Sequence, residues 1–284
     1  MATETTSNSA FSWSPDVSTI TAADAVPDAL ILQTSTVSGS VEGDAVAVRA
    51  SYVDDATAGF VAEGAAIDEA DPSLAEVVVY TGKVSQLVRL SREQWSQQNT
   101  SQLISESVRR AVTKAANAAY IAQAAPISPA VTPPAGLLNI AGIVDGGAIA
   151  LDLDILADVL ATLEGNGATP SHIIASPSAW GYLRKFKVGT SRNDTLLGAG
   201  TADMEKRLLG IPVLTTAAVP AGSLLILDRS AIVSAVGGVE VAVSDQVYFN
   251  SDSVGVRCTW RFGSNLVRPN RVAKLTVTDP DAVA

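Results

Sequence analysis

The last third of the chain constrains the fold most. Two short apolar runs and a longer alternating run follow one another there, separated by glycine and proline turns, at 211–216, 224–227 and 254–275. Continuous apolar runs of this length are typical of strands buried on both faces, and alternation is typical of strands with one exposed face. The chain therefore ends in β-sheet, and we interpret 136–230, which the first two of these strands close, as a compact α/β unit.

Local signals within this unit predict its helices. An apolar helical pattern over 151–163 is followed by the stop signal Gly165-Asn166-Gly167. A short strand at 172–175 is followed by Ser176 and Pro177, which are typical of an N-cap and a first helical position. The inner face of the helix that they begin is predicted to comprise Trp180, Leu183 and Phe186. A further short helix is predicted near 204–209.

Residues 100–124 predict the longest helix. Apolar residues recur there at three- and four-residue spacing, at Ile104, Val108, Ala111, Ala115, Ala118 and Ala122. Thr100 or Ser101 can cap its start, and the proline-rich stretch 126–134 ends it. Because an alanine-rich stripe permits close approach of a sheet or helix, we interpret this helix as a packed core element.

An acidic segment separates alternating, strand-like stretches within 45–90. The window 54–76 holds seven acidic residues and no lysine or arginine: Asp54, Asp55, Glu63, Asp68, Glu69, Asp71 and Glu76. An isolated hairpin is marginally stable in water. The pattern therefore predicts either a two-stranded arm that needs a partner surface or a mobile acidic loop. Residues 1–44, rich in serine and threonine, are interpreted as an arm on a neighbouring molecule or a disordered tail.

Charge is scarce in this chain. Charged residues make up 17% of it, against about 25% in an ordinary soluble domain. Either other molecules cover much of the surface, or the chain is a well-buried, alanine-rich enzyme domain. The net charge is -10 without a Lys/Arg cluster, which argues against gripping nucleic acid. No apolar run is long enough for a membrane span and no signal-peptide pattern is present, so we expect synthesis in the cytoplasm.

Few residues suit catalysis or metal binding. His172 is the only histidine and Cys258 the only cysteine, so a Ser-His-Asp triad has one candidate base and a zinc site lacks ligands. Neither a nucleophile elbow nor a phosphate-binding loop is present. We therefore predict no enzymatic activity, no cofactor and no metal site.

Four segments stand in an order that resembles a known family: HIIASPSAWGYLRKFK (172–187), LLGIPVLTT (208–216), SLLILDRSAIV (223–233) and VGVRCTWRFGSNLVRPNRVAKL (254–275). This order resembles the major capsid proteins of tailed bacteriophages, the Hong Kong 97-type family, over about 30–277. The resemblance implies an α+β fold of five parts. They are an N-terminal arm (1–44), an extended β-hairpin loop (45–82), a peripheral domain with a long spine helix (83–135), an axial α/β domain (136–228) and the peripheral return strands with the C-terminus (229–284).

The resemblance also implies a function. A structural protein of this kind assembles with itself into pentamers and hexamers of an icosahedral shell, which encloses the double-stranded DNA genome in the virion after assembly in the host cytoplasm. Further implied partners are a portal and decoration proteins. Because the chain starts directly with the arm, the resemblance also implies either a separate scaffolding protein or the removal of a scaffolding segment that precedes residue 1. With no lysine between Arg49 and Lys83, we predict no isopeptide crosslink from the extended loop. The alternatives are an encapsulin-like shell around cargo enzymes and a stand-alone acidic α/β enzyme or adhesin.

Contacts between subunits are predicted from the one-sided charge of the window 54–76. We expect this window to lie over basic residues of a neighbouring copy. The candidates are Arg109, Arg110 and Lys114 on the long helix, or Arg268 and Arg271 near the end of the chain.

Overall fold

The computed structural model describes residues 17–42, 44–53, 60–61, 74–97, 100–189, 192–197 and 206–282. Its α-helices are α1 (Ala22–Ala25), α2 (Leu30–Thr34), α3 (Arg92–Trp95), α4 (Thr100–Ala122), α5 (Asp154–Gly165) and α6 (Pro177–Lys185). Its strands are β1 (Val17–Ile20), β2 (Thr36–Ser40), β3 (Ala47–Val53), β4 (Leu74–Tyr80), β5 (Gly82–Ser91), β6 (Val144–Ile149), β7 (His172–Ala175), β8 (Lys187–Gly189), β9 (Arg192–Thr195), β10 (Arg207–Leu208), β11 (Ile211–Thr215), β12 (Ser223–Leu227), β13 (Ile232–Tyr248), β14 (Ser253–Leu266) and β15 (Ala273–Val277).

The first sheet has the order β1-β13-β14-β5, with β2 also paired to β13. Its centre is the long antiparallel pair β13–β14, and α4 packs across one face of it. Trp260 anchors this core: it is 1% exposed, its ring centroid lies 4.6 Å from that of Phe262, and its Nε1 donates a hydrogen bond to the Gly237 carbonyl at 3.0 Å. A buried indole with its polar atom satisfied combines large apolar burial with a fixed orientation.

The long helix predicted at 100–124 is confirmed as α4, but its buried face differs from the predicted one. Among its described side chains, α4 buries Val108, Val112, Ala116 and Tyr120, which lie four residues apart, and also Ile121. Ala115 and Ala118, which the pattern placed on the inner face, are exposed. The larger side chains of Val112 and Tyr120 remove more apolar area from water than alanines do, so they decide which face turns to the sheet.

The second sheet has the order β10-β11-β7-β12-β15-β6. Helices α5 and α6 cover it with Leu156, Leu163 and Leu183, all 1% exposed or less. The predicted signals are confirmed: α5 ends at Gly165, and Ser176 Oγ caps α6 by accepting a hydrogen bond from the Ala179 N–H at 3.1 Å. No helix among the described residues is long and apolar enough to cross a bilayer.

Two details differ from the sequence interpretation. The prediction of a short helix near 204–209 is wrong over the described residues, where β10 turns back onto β11 through Leu209 (φ 48°) and Gly210 (φ 83°). In addition, β15 pairs with β12 and β6 in the second sheet, although 229–284 was assigned to the return strands of the other domain. The alternation of β15 fixes which side chains are buried, but it carries no information on which sheet receives them.

The N-terminal segment 17–42 packs on its own chain. β1 pairs with β13, and the backbone N–H of Leu30, at the start of α2, donates a hydrogen bond to Asn117 Oδ1 at 2.9 Å. The hydroxyls of Thr34 and Tyr120 lie 3.0 Å apart in a fully buried position. Part of the predicted arm therefore finds its packing surface within the subunit.

Candidate assembly surfaces

Strands β3 and β4 form an antiparallel two-stranded hairpin. Its Ala50 and Val79 are 3% and 0% exposed and form a small core with Val233 and Ala235 of β13. The neighbouring Ile232 faces the α4 side, so the hairpin docks on the opposite face of the first sheet. An isolated hairpin would be marginally stable in water, and this docking stabilises it because the body of the same chain buries one of its faces.

Backbone contacts hold the hairpin close to the sheet. A Cβ atom at Gly263 of β14 would overlap the carbonyl oxygen of Tyr80, so only glycine allows this approach. Asn265 Nδ2 donates a hydrogen bond to the Val78 carbonyl at 3.0 Å. At the far end of β3, Arg268 Nη2 donates to the Val53 carbonyl at 3.3 Å. The described half of the hairpin thus contacts the body along its length.

A polar cluster surrounds the point where the hairpin leaves the body. Asp44 accepts hydrogen bonds from Lys83 Nζ at 3.0 Å and from Arg261 Nε at 3.3 Å. Arg261 Nη1 also donates to Thr81 Oγ1 at 3.1 Å. The hydrogen bond from Lys83, with the positive charges of Lys83 and Arg261, holds the pKa of Asp44 below its ordinary value of 3.8, against the opposing effect of partial desolvation.

A basic hollow lies between α4, the turn before α2 and the loop after β11. Its volume is about 330 Å³, and its lining includes Arg109, Arg110, Lys114 and Asp28. Arg110 forms an exposed ion pair with Glu106 at 3.8 Å. Among the described residues, no ion pair joins Arg109 or Lys114 to a carboxylate. The hollow therefore presents positive charge to solvent, and Asp28 is the single acid among the described residues that line it.

The second predicted basic set is already engaged within the subunit. Arg268 contacts the Val53 carbonyl, and Arg271 Nε donates a hydrogen bond to the Asn166 carbonyl at 3.2 Å. The two residues lie near the hairpin and near the end of α5, and the structure does not bring them into the basic hollow.

Only one of the seven acidic residues of the window 54–76 lies within the described part of the chain. This residue, Glu76, forms an ion pair with Arg49 across the hairpin at 3.4 Å. The other six lie outside the described residues: Asp54, Asp55, Glu63, Asp68, Glu69 and Asp71.

The residues considered for catalysis have structural surroundings. His172 Nδ1 lies 3.1 Å from Ser171 Oγ, and partial burial, with the positive charge of Arg229, lowers the pKa of His172. Cys258 is buried in the first core, and burial raises the pKa of its thiol. Within the described ranges, no three His, Cys, Asp or Glu residues group as metal ligands do.

Sequence reasoning missed the cluster at the hairpin exit. Asp44, Thr81 and Arg261 are far apart in the chain, so periodicity could not connect them. The local signals present were a Gly-Asp pair at 43–44 and a Thr-Gly pair at 81–82, both of which mark turns. An arginine in the middle of an apolar strand at 254–266 was the third signal, because such a charge needs partners.

Comparisons with known proteins give one consistent result. The solved structure of the capsid of an empty GTA particle, computed with C5 symmetry, matches with a TM-score of 0.67 at 17% identity, over 88% of this chain and 90% of that chain. For Gordonia phage Cozz the TM-score is 0.65 at 16% identity, over 88% and 86%. For Microbacterium phage Oxtober96 it is 0.61 at 16% identity, over 98% and 96%. At these identities the likeness shows a shared fold.

Sequence comparison identifies the family. No curated protein matches the chain, but the model of the phage capsid family matches residues 16–277. That match includes both sheets, α4 and the docked hairpin, and therefore nearly all of the described structure. The chain belongs to the phage capsid family and is a structural capsid protein.

Proposed function

We propose that this chain is the major subunit of an icosahedral shell, in which pentamers and hexamers of identical copies enclose a double-stranded DNA genome. The observation that carries the proposal is the family match over 16–277. The C5 symmetry of the GTA capsids, which share the fold, supports the pentamers. Assembly would take place in the host cytoplasm, with scaffolding, portal and decoration proteins as further partners.

The parts of the subunit would have distinct roles in this shell. The first sheet with α4 corresponds to the proposed peripheral domain, and the hairpin β3–β4 to the proposed extended loop. The second sheet with α5 and α6 corresponds to the proposed axial domain, where copies would meet around five- and six-fold axes. A contact between two unlike patches closes into a ring when its rotation allows it.

Charge complementarity supports one specific contact in this assembly. The acidic window of one copy would enter the basic hollow of the next and approach Arg109, Arg110 and Lys114. Within the described part of the chain, neither Arg109 nor Lys114 of the hollow has an ion-pair partner, whereas Arg268 and Arg271 already bind carbonyl oxygens of their own subunit. We therefore favour the helix cluster over the C-terminal pair.

Electron microscopy and sedimentation of the full chain test the shell itself. Expression should yield closed shells, tubes or ring-shaped capsomers, and purified shells from an infection should contain DNA. A protein that sediments only as a 29.2 kDa monomer at every salt concentration would refute the role. Shells filled with enzyme cargo in place of DNA would indicate an encapsulin-like compartment.

Charge reversal tests the contact. The double variant Arg109→Glu and Lys114→Glu should raise the protein concentration needed for assembly by about tenfold or more, since a loss of roughly 1.4 kcal/mol per contact is tenfold in affinity. Arg257→Glu is the matched control, because Arg257 is an exposed arginine on the opposite face of the first sheet. Neutralising Asp54, Asp55, Glu63, Asp68, Glu69 and Asp71 should have the same effect and flatten the salt response. Equal losses in the double variant and the control would discard the contact and leave the capsid role intact.

A further inference from the structure

We propose that Asp44, Thr81 and Arg261 form a latch that fixes the direction in which the hairpin β3–β4 leaves the body of the subunit. The inference concerns one subunit and its internal contacts. It adds to the proposed function a device that sets where the hairpin is presented to a neighbouring copy.

The latch acts at both points where the hairpin joins the body. Asp44 precedes β3, and Thr81 separates β4 from β5. The Thr81 N–H donates a hydrogen bond to the Val46 carbonyl at 2.8 Å, and Thr81 Oγ1 donates to the Ala45 carbonyl. These two bonds close the base of the hairpin, so its two strands enter and leave the body together.

Arg261 connects this base to the first sheet. Its guanidinium contacts the Asp44 carboxylate through Nε at 3.3 Å and Thr81 through Nη1, at 3.1 Å to Oγ1 and 3.4 Å to the carbonyl. Because Arg261 lies in the middle of β14, paired with Lys83 of β5, its position is fixed by the ladder. A planar guanidinium that contacts two groups at once restrains angle as well as distance.

Part of this cluster is shielded from solvent. Thr81 is 0% exposed and the Arg261 side chain is 17% exposed, whereas the Asp44 side chain is 58% exposed. Solvent and salt therefore weaken the bonds from Arg261 to Thr81 less than they weaken the ion pair with Asp44. Asp44 also adopts φ 60°, a conformation that few residues other than glycine tolerate and that aspartate adopts in turns.

The close approach at Gly263 is an independent observation in favour of a fixed direction. Glycine at this position lets the Tyr80 carbonyl touch β14 directly, two residues along the strand from Arg261. If the hairpin moved freely at its base, position 263 would not have to be glycine for the backbone of Tyr80 to approach β14. The latch and this contact together make the described half of the hairpin and the first sheet one rigid body.

Distance measurements between two spin labels test the latch. Labels are placed at Val53→Cys near the outer end of β3 and at Arg257→Cys on β14, in a Cys258→Ser background of the full chain. Labelled protein is diluted with unlabelled protein, so that only distances within one subunit are recorded. The unmodified latch should give one narrow distance distribution.

Asp44→Asn and Arg261→Gln should at least double the width of that distribution. Arg49→Ala is the matched control, because it removes an exposed ion pair within the hairpin without touching the body. If Arg261→Gln does not fold, as judged by its circular dichroism, Asp44→Asn decides alone. An unchanged width in Asp44→Asn, or an equal broadening in Arg49→Ala, would overturn the latch. Neither result bears on whether copies assemble, which sedimentation reports separately.

Discussion

Replacing Val79 by alanine should loosen the hairpin without unfolding the subunit. Val79 is 0% exposed in the small core between the hairpin and β13. Removal of two methyl groups costs about 0.8 kcal/mol each in lost burial, and the cavity left behind brings the total to roughly 2 kcal/mol. Because this core is separate from the two large ones, we expect the loss to appear as local opening of the hairpin.

Hydrogen exchange measures this opening directly. A loss of roughly 2 kcal/mol makes the open state about 30-fold more populated. The Thr81 N–H, which bonds to the Val46 carbonyl, should therefore exchange about 30-fold faster, whereas amides between β13 and β14 should keep their rates. Val53→Ala, at a half-exposed position of the same hairpin, is the control and should change exchange little. Equal acceleration at Thr81 and in the β13–β14 ladder would show that the hairpin and the body open together, and the reasoning would fail.

Three further predictions concern other contacts. Gly263→Ala should displace the hairpin and lower the melting temperature. Its control is Gly181→Ala, where a Cβ has open space in a helix and should raise the free energy of unfolding by about 0.5–1 kcal/mol. An unchanged melting temperature in Gly263→Ala would contradict the close approach. Ser176→Ala removes the N-cap of α6 and should cost about 1 kcal/mol in denaturant unfolding, and an unchanged midpoint would show that the cap is replaceable. Since the folded-state pKa of Asp44 is depressed, its stabilising contribution is present above pH 3.8 and is lost as pH falls through the lower folded pKa. The spin-label distribution should therefore stay narrow from pH 7 to 4 and broaden only below, and broadening already at pH 6 would exclude Asp44 as the titrating group.

Local signals predicted the local structure of this chain. The pair Ser176 and Pro177 predicted the start of α6, and Gly165-Asn166-Gly167 predicted the end of α5, because caps and stops act within one turn of a helix. The strands β11 and β12 were predicted from their uninterrupted apolar runs. β12 is buried from Leu224 to Leu227, whereas β11 is only partly buried.

Contacts between segments that are distant in the chain could not be predicted from the sequence. Alternation in β15 is the same whichever sheet it joins, and an alanine-rich pattern on α4 did not reveal that Val112 and Tyr120 face the core. The hairpin exit joins Asp44 of one turn to Arg261 of a strand near the other end of the chain. Such pairs depend on the topology, which periodicity does not encode.

The distribution of charge gives a physical reason for association between copies. One chain carries an acidic window without a lysine or arginine, and a basic hollow in which Arg109 and Lys114 have no carboxylate partner among the described residues. In the contact that we propose, the acidic window of one copy would meet the basic hollow of the next, and because these two patches differ, the contact would be head-to-tail. A head-to-tail contact repeats from copy to copy until it closes. The strength of this proposed contact should fall with salt, because it is an attraction between unlike charges. The bonds from Arg261 to the buried Thr81 and the Gly263 contact lie within one subunit and should persist at the same ionic strength. Raising the salt concentration should thus dissociate copies before it loosens the hairpin within any one of them, and the reverse order would show that the hairpin is held by its neighbours rather than by its own subunit.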